Sequence, residues 1–236
     1  MTDREAFQRM VDAQPFVPLW NALYQWLSEE IITLRLAPGS RINEAQTAES
    51  LGISRSPVKM AIDRLTEDGL LEKAGKQHRV TYLNQKDCTA LYEARIAIEG
   101  HAAFLASKRI SREQLRQLAV HVRAFEALEG AQSPEKMLEF ARHDDQFHQI
   151  IIDAAGNPYI EEMYRCIRHR LLRYRYYLSL LCWNQNLVDI SSVHHKAIYN
   201  ALKNYSSSAE VEMREDARRM LAAIREISPA ASVPGE

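Results

Sequence analysis

Several ionisable residues stand on apolar helical stripes, where a charge is costly. Between Met137 and Ala155 the inward positions run Met137, Ala141, Asp144, His148, Ile151 or Ile152, and Ala155, which puts a carboxylate and an imidazole one turn apart on one face. His195 is in line with Ile198 and Leu202, and Asp216 with Met213, Met220, Ile224 and Ile227. Charges placed this way need pairing or coordination. Asp144 and His148 at i, i+4, joined by His195 and Asp216 from later helices, make a nitrogen and oxygen set suited to zinc, nickel or another divalent ion. The same residues also read as a hydrogen-bonded pair and two separately satisfied core groups. His194 competes with His195 for the inward position. Arg95, beside the Leu91 and Ile98 face, either points its fork at a carboxylate ligand in the bundle core or pairs with Glu99 one turn on.

A second chemistry lies in residues 54–71, SRSPVKMAIDRLTEDGLL. Val58, Ala61, Ile62 and Leu65 recur at helical spacing and form a buried stripe. Arg55, Ser56, Lys59, Met60 and Asp63 then face outward, with cations at the N-terminal end, a surface suited to the major groove of DNA. Ser54 supplies a hydroxyl cap, Pro57 is tolerated in the first turn, and Gly69 ends the helix. Lys76, His78 and Arg79 follow in a basic hairpin and are expected to lie along phosphates or a minor groove.

The elements that position these groups follow from periodicity. Residues 1–16, with Pro15 and Pro18 nearby, read as a loose arm. Leu19, Leu23, Trp26, Leu27, Ile31 and Leu34 make one face of a helix stopped by the turn at 36–40. Asn43 caps a short helix over 44–51, with Gly52 past its end, and a tight connection leads to the helix at 54. Strand-like runs at 70–74 and 79–83 complete a winged helix-turn-helix. Beyond Leu83 the pattern predicts six helices with short connections, an antiparallel bundle. The fold class expected is mainly α: residues 1–83 a DNA-binding domain with its arm, 84–227 an effector-binding and dimerisation bundle, and 228–236 a disordered tail. The arginines at 165, 168, 170, 173 and 175 spread around their helix and read as a mostly solvated face.

Composition sets outer bounds. Formal net charge is −1 with a pI near 6.7, so any nucleic-acid surface is a local patch. Cys88, Cys166 and Cys182 are widely spaced and form no CxxC pair, which argues against a disulfide framework or zinc knuckle. No apolar run approaches a membrane span and the N-terminus lacks signal-peptide features, so a cytoplasmic protein without a membrane partner is expected. Three functions compete. One is a ligand-responsive DNA-binding regulator. The second is a metal-dependent hydrolytic enzyme activating water at Asp144, His148 and His195, for which no convincing general base presents itself. The third is a metal-free interaction module.

The run LAPGSRINEAQTAESLGISRSPVKMAIDRLTEDGLLEK resembles the winged helix-turn-helix of GntR-type transcription regulators. LYEARIAIEGHAA, DDQFH, AAGNP and HHKAIYNAL resemble, in order, signatures of the FadR-like subfamily with its FCD effector domain, in the six-helix VanR-like form. The resemblance implies a homodimer on double-stranded palindromic operator DNA, a repressor by expectation, not an enzyme, answering to a small organic acid that is often metal-assisted. It implies Asp144 and His148 as the first two metal ligands and His195, followed by Lys196, Ala197 and Ile198, as the third. The fourth position, normally His, falls on Asp216. Arg95 matches an Arg that faces the effector carboxylate, and Arg55 a base or phosphate contact. Lys59 stands where Arg is usual and Ala45 where a cation is common, and Lys lacks the planar fork that Arg presents to guanine.

Overall fold

Phe7, Met10 and Val11 recur at helical spacing, and the computed structural model forms α1 over Asp3–Ala13. The loose arm expected there is a packed helix: Phe7 is 1% exposed and its ring centroid lies 5.8 Å from that of Trp26. Pro15 and Pro18 act only after the helix has ended. The structure describes residues 3–130, 133–181 and 187–226; the tail expected at 228–236 lies outside them.

The helix α2 (Leu19–Ile32) buries Leu23, Leu27 and Ile31. Its Tyr24 hydroxyl donates to Asp68 Oδ2 at 2.7 Å, and burial followed by that carboxylate pushes the phenol up to about 12. The Asn43 side chain accepts from the amides of Ala45 and Gln46 and starts α3 (Glu44–Leu51), which Gly52 closes at φ +69°. The next helix, α4 (Arg55–Glu67), buries Val58, Ala61, Ile62 and Leu65 completely, as its stripe requires. Ser54 is its N-cap residue but makes no side-chain capping bond, contrary to the expected hydroxyl cap.

The wing has three strands. The pair β2 (Leu71–Ala74) and β3 (Gln77–Val80) is joined by β1 (Arg41–Ile42), in the order β1-β3-β2, all antiparallel. Arg41 stands opposite Arg79, and Glu72 opposite Arg79 on the other side. Side chains alternate along β3, so His78 and Val80 turn inward while Arg79 turns out.

From Asn84 onward the described residues form a second compact unit. It comprises α5 (Gln85–Arg109), α6 (Arg112–Ala127), α7 (Pro134–Ala155), α8 (Pro158–Leu181), α9 (Leu187–Lys203) and α10 (Ser208–Glu226). Asn84 and Ser133 cap α5 and α7 with side-chain oxygens, and Ser111 with Gln114 forms a reciprocal capping box on α6. Helix α5 packs against α7, α8 and α10, which makes it the axis of the unit. Gly100 allows its close approach to α10: a Cβ there would fall 2.6 Å from Arg214 Cγ. Among the described residues no helix is long and apolar enough to cross a membrane.

Because Phe7 fills the N-terminal core, Phe7→Ala should cost that unit about 3 kcal/mol. Denaturant unfolding followed by tryptophan fluorescence checks this, and a loss below the error of the fit would return α1 to a dispensable arm.

Candidate metal centre and nucleic-acid face

Burial of the α7 stripe carries its polar members into the interior of the bundle. Asp144 and His148 from α7 meet His195 from α9, with both imidazoles fully buried. His195 stacks on Phe125 at 4.3 Å between ring centroids and meets Phe147 edge-on at 4.8 Å, so apolar neighbours fix its ring plane. His194 is only half-buried, which resolves the competition between adjacent histidines.

The second nitrogen of each ring fixes the tautomer. His195 Nδ1 lies 2.7 Å from the Ser191 carbonyl oxygen, which only accepts, so the proton belongs on Nδ1 and the neutral ring leaves Nε2 bare. His148 Nδ1 lies 3.0 Å from Glu99 Oε2, which favours a proton on that nitrogen; burial opposes a charge on the ring, but Glu99 outweighs it and raises the imidazole's pKa. Asp144 Oδ1 then sits 2.9 Å from His195 Nε2 and 3.6 Å from His148 Nε2, and the two Nε2 atoms are 3.3 Å apart. Acceptors this close need a cation among them, a proton or a metal. A tetrahedral ion with bonds of about 2.1 Å sets its ligand atoms about 3.4 Å apart, so these three residues fit one. The Ser191 carbonyl bonded to His195 Nδ1 and the Glu99 carboxylate beside His148 Nδ1 are neighbours of the kind that orient metal-binding histidines.

Asp216 is placed differently. Its Oδ2 accepts from Arg95 Nη2 at 2.7 Å and stands 3.9 Å from His148 Nε2. Among the described residues the converging set is Asp144, His148 and His195, with Asp216 beside it. Arg95 makes the pair with Glu99 that its spacing offered, its Nε donating at 2.8 Å, while its Nη2 reaches Asp216 Oδ2 and also His148 Nε2 at 2.9 Å.

Arg175 is the residue that sequence reading missed. With Arg173 it is buried, at 4% and 2% exposure, so the α8 arginines are not one solvated face. Arg175 Nε lies 2.7 Å from Asp144 Oδ2 and its terminal nitrogen 3.2 Å from Glu99 Oε1. Arg168 makes a two-pronged pair with Asp145. Burial alone would raise the carboxyls; Arg95, then His148 and Arg175, instead hold Glu99 down to about 2, and Arg175 leads in holding Asp144 well below the carboxylate range. Spacing could not reveal Arg175, but two inward carboxylates and Glu99 facing one inward Arg were a sign that a cation was missing.

In the N-terminal unit Arg55, Ser56 and Lys59 are exposed on α4 and Lys76 on the wing turn. Two wing residues depart from expectation. His78 is buried, because strand alternation turns it inward, so it does not lie on the outer surface where phosphates were expected. Arg79 donates from Nε to Glu72 at 2.9 Å and stacks over Tyr82.

Residues 90–216 match the FCD domain family, and residues 19–77 match the family described as bacterial regulatory proteins, gntR family. An uncharacterized HTH-type transcriptional regulator of Bacillus subtilis (strain 168) is 30% identical over 147 residues, 62% of this chain and 65% of that protein. The HTH-type transcriptional repressor RspR of Escherichia coli (strain K12) is 28% identical over 145 residues, 60% and 61% of the two chains. The chain thus spans somewhat under two thirds of the length of these relatives. The solved structure of E. coli McbR/YncC shares the fold, with a TM-score of 0.73 at 20% identity, over 89% of this chain and 99% of that one.

Removing one partner of a buried ion pair strands the other, so Arg175→Met should cost the bundle about 3–5 kcal/mol, whereas exposed Arg165→Met should stay within about 0.5 kcal/mol. Equal losses on denaturant unfolding would contradict the network. Glu99 titrates below its ordinary 4.5, so its contribution is complete above that pH and lost as the pH falls toward about 2. Acid titration of the bundle by circular dichroism should therefore show unfolding in that window, and Glu99→Gln should remove part of the pH dependence.

Proposed function

We propose that this chain, which belongs to the gntR family of bacterial regulatory proteins and carries the FCD domain, is a homodimeric transcriptional repressor that releases or reshapes its hold on operator DNA when a small carboxylate metabolite binds a metal-containing bundle. The observation that carries the sensing half is the convergence of three acceptor atoms, Asp144 Oδ1, His148 Nε2 and His195 Nε2, each imidazole with its other nitrogen already engaged. Zinc or nickel suits that donor set. The matches to transcriptional regulators favour this reading over a hydrolytic enzyme.

On the DNA side Arg55, Ser56 and Lys59 read the major groove, and Lys76 with the outward edge of Arg79 meets phosphates. On the sensing side a bound divalent ion supplies a fixed positive centre for a carboxylate oxygen. The chain's own residues do the rest. Arg95 gives up its bond to His148 Nε2 when that lone pair is needed elsewhere, while Glu99 and Asp216 keep its fork in place. One donor edge is thereby freed toward the effector carboxylate. Asp216 in this reading anchors Arg95 rather than completing the metal shell. Effector binding must favour one spacing of the paired α4 helices over another, since a ligand that binds both states alike shifts nothing.

Fluorescence anisotropy on a duplex from the protein's own upstream region should show salt-sensitive, sequence-dependent binding. Arg55→Ala should lose about 1–3 kcal/mol of specific affinity while retaining the non-specific component. Binding that is indifferent to sequence would sink the operator reading. Elemental analysis should find about one equivalent of metal in the wild-type protein and little in His148→Ala or His195→Ala; Asp216→His, which adds an imidazole and frees Arg95, should bind zinc at least about tenfold more tightly. Metal content independent of His148 would remove the sensing site.

A further inference from the structure

The helix α1 lies ahead of the segment, residues 19–77, that matches the DNA-binding family, yet it is built into the same core. Phe7 is the anchor, packed against Trp26, with Met10 and Val11 beside it. Arg4 stands one helical turn before Phe7, on a helix that packs against α3. Its guanidinium consequently lies over Gly52: a Cβ on that residue would fall 2.8 Å from Arg4 Nη2 and 2.9 Å from Cζ. Gly52 is the left-handed residue that closes α3, and two residues on is Ser54, the N-cap of α4, followed by the exposed Arg55 and Ser56. Two residues span at most about 7 Å. Arg4 is itself exposed, so its charge sits at the rim of the surface that presents the N-terminus of α4.

We propose that Arg4 is a DNA-phosphate contact, delivered by α1 to the backbone strand flanking the groove that α4 enters. The inference rests on the reading of residues 3–83 as the operator-binding unit. It adds a cation from outside the helix-turn-helix to a surface on which Ala45 offers none at the start of α3. A phosphate contact raises affinity for every duplex and discriminates among none. The competing role is purely structural: a cation over the last turn of α3 also stabilises that helix through its dipole.

Full-length wild type, Arg4→Gln and Arg4→Lys are titrated by anisotropy against the upstream duplex and an unrelated duplex of equal length, across a salt series, with thermal melts of each. Arg4→Gln should weaken both duplexes by about three- to tenfold near 0.1 M salt and lower the slope of log affinity against log salt by about one; Arg4→Lys should keep the wild-type slope. A wild-type slope in Arg4→Gln, whether or not its melting temperature falls, overturns the assignment of Arg4 alone. Absence of salt-dependent binding by the wild type overturns the operator reading as well.

Discussion

His148 has one lone pair on Nε2, and that lone pair is where the interior of the bundle is decided. Glu99 stands 3.0 Å from Nδ1 and favours a proton there, which in the neutral ring leaves Nε2 as the acceptor. In this structure Arg95 Nη2 fills it at 2.9 Å, while Asp144 Oδ1 and His195 Nε2 stand around the same point with acceptors of their own. The arrangement is stable only with positive charge close by. Arg95 and Arg175 supply that charge against Glu99, Asp144 and Asp216, and the ledger of formal charge still leaves one carboxylate in excess when both imidazoles are neutral. A divalent ion among Asp144, His148 and His195 more than corrects that excess, and a carboxylate ligand then brings the balance back. A proton on His148, whose pKa Glu99 raises against the effect of burial, balances the same excess, so a proton and an ion with its carboxylate ligand are alternative ways to neutralise this interior.

The surrounding helices make sense as supports for that point. Phe125 and Phe147 hold His195 in plane, the Asp144–His148 pair is fixed by one turn of α7, and α5 contributes both Arg95 and Glu99 from the axis of the unit. Gly100, one residue beyond Glu99, lets α10 approach closely enough for Asp216 to reach Arg95. Asp216 accepts from Arg95 Nη2 at 2.7 Å and so helps hold the guanidinium inward. Its carboxylate thus belongs with Arg95, beside the converging set of Asp144, His148 and His195.

The parts legible in the sequence were those that repeat. The α7 stripe placed Asp144 and His148, the buried face of α4 placed Arg55, Ser56 and Lys59 outside, and caps such as Asn43 and Ser111 marked helix starts with little error. Single long side chains were harder. Arg175 sits in a run of arginines and tyrosines whose positions circle the helix, and only tertiary contact decides which guanidinium turns inward. His78 could have been found: Val80 is apolar and inward, so a strand through 77–80 turns His78 to the same side. The packed helix at Asp3–Ala13 was hidden by its length and by the prolines that follow, although Phe7, Met10 and Val11 carried the period.

X-ray absorption at the zinc edge of the full-length protein, stripped with chelator and reloaded to one equivalent, tests the central claim most directly. The account predicts two imidazoles and oxygen donors at about 2.0–2.1 Å, with the imidazole scattering reduced by half in His148→Ala. A zinc environment without imidazole, or one unchanged by that substitution, would contradict it.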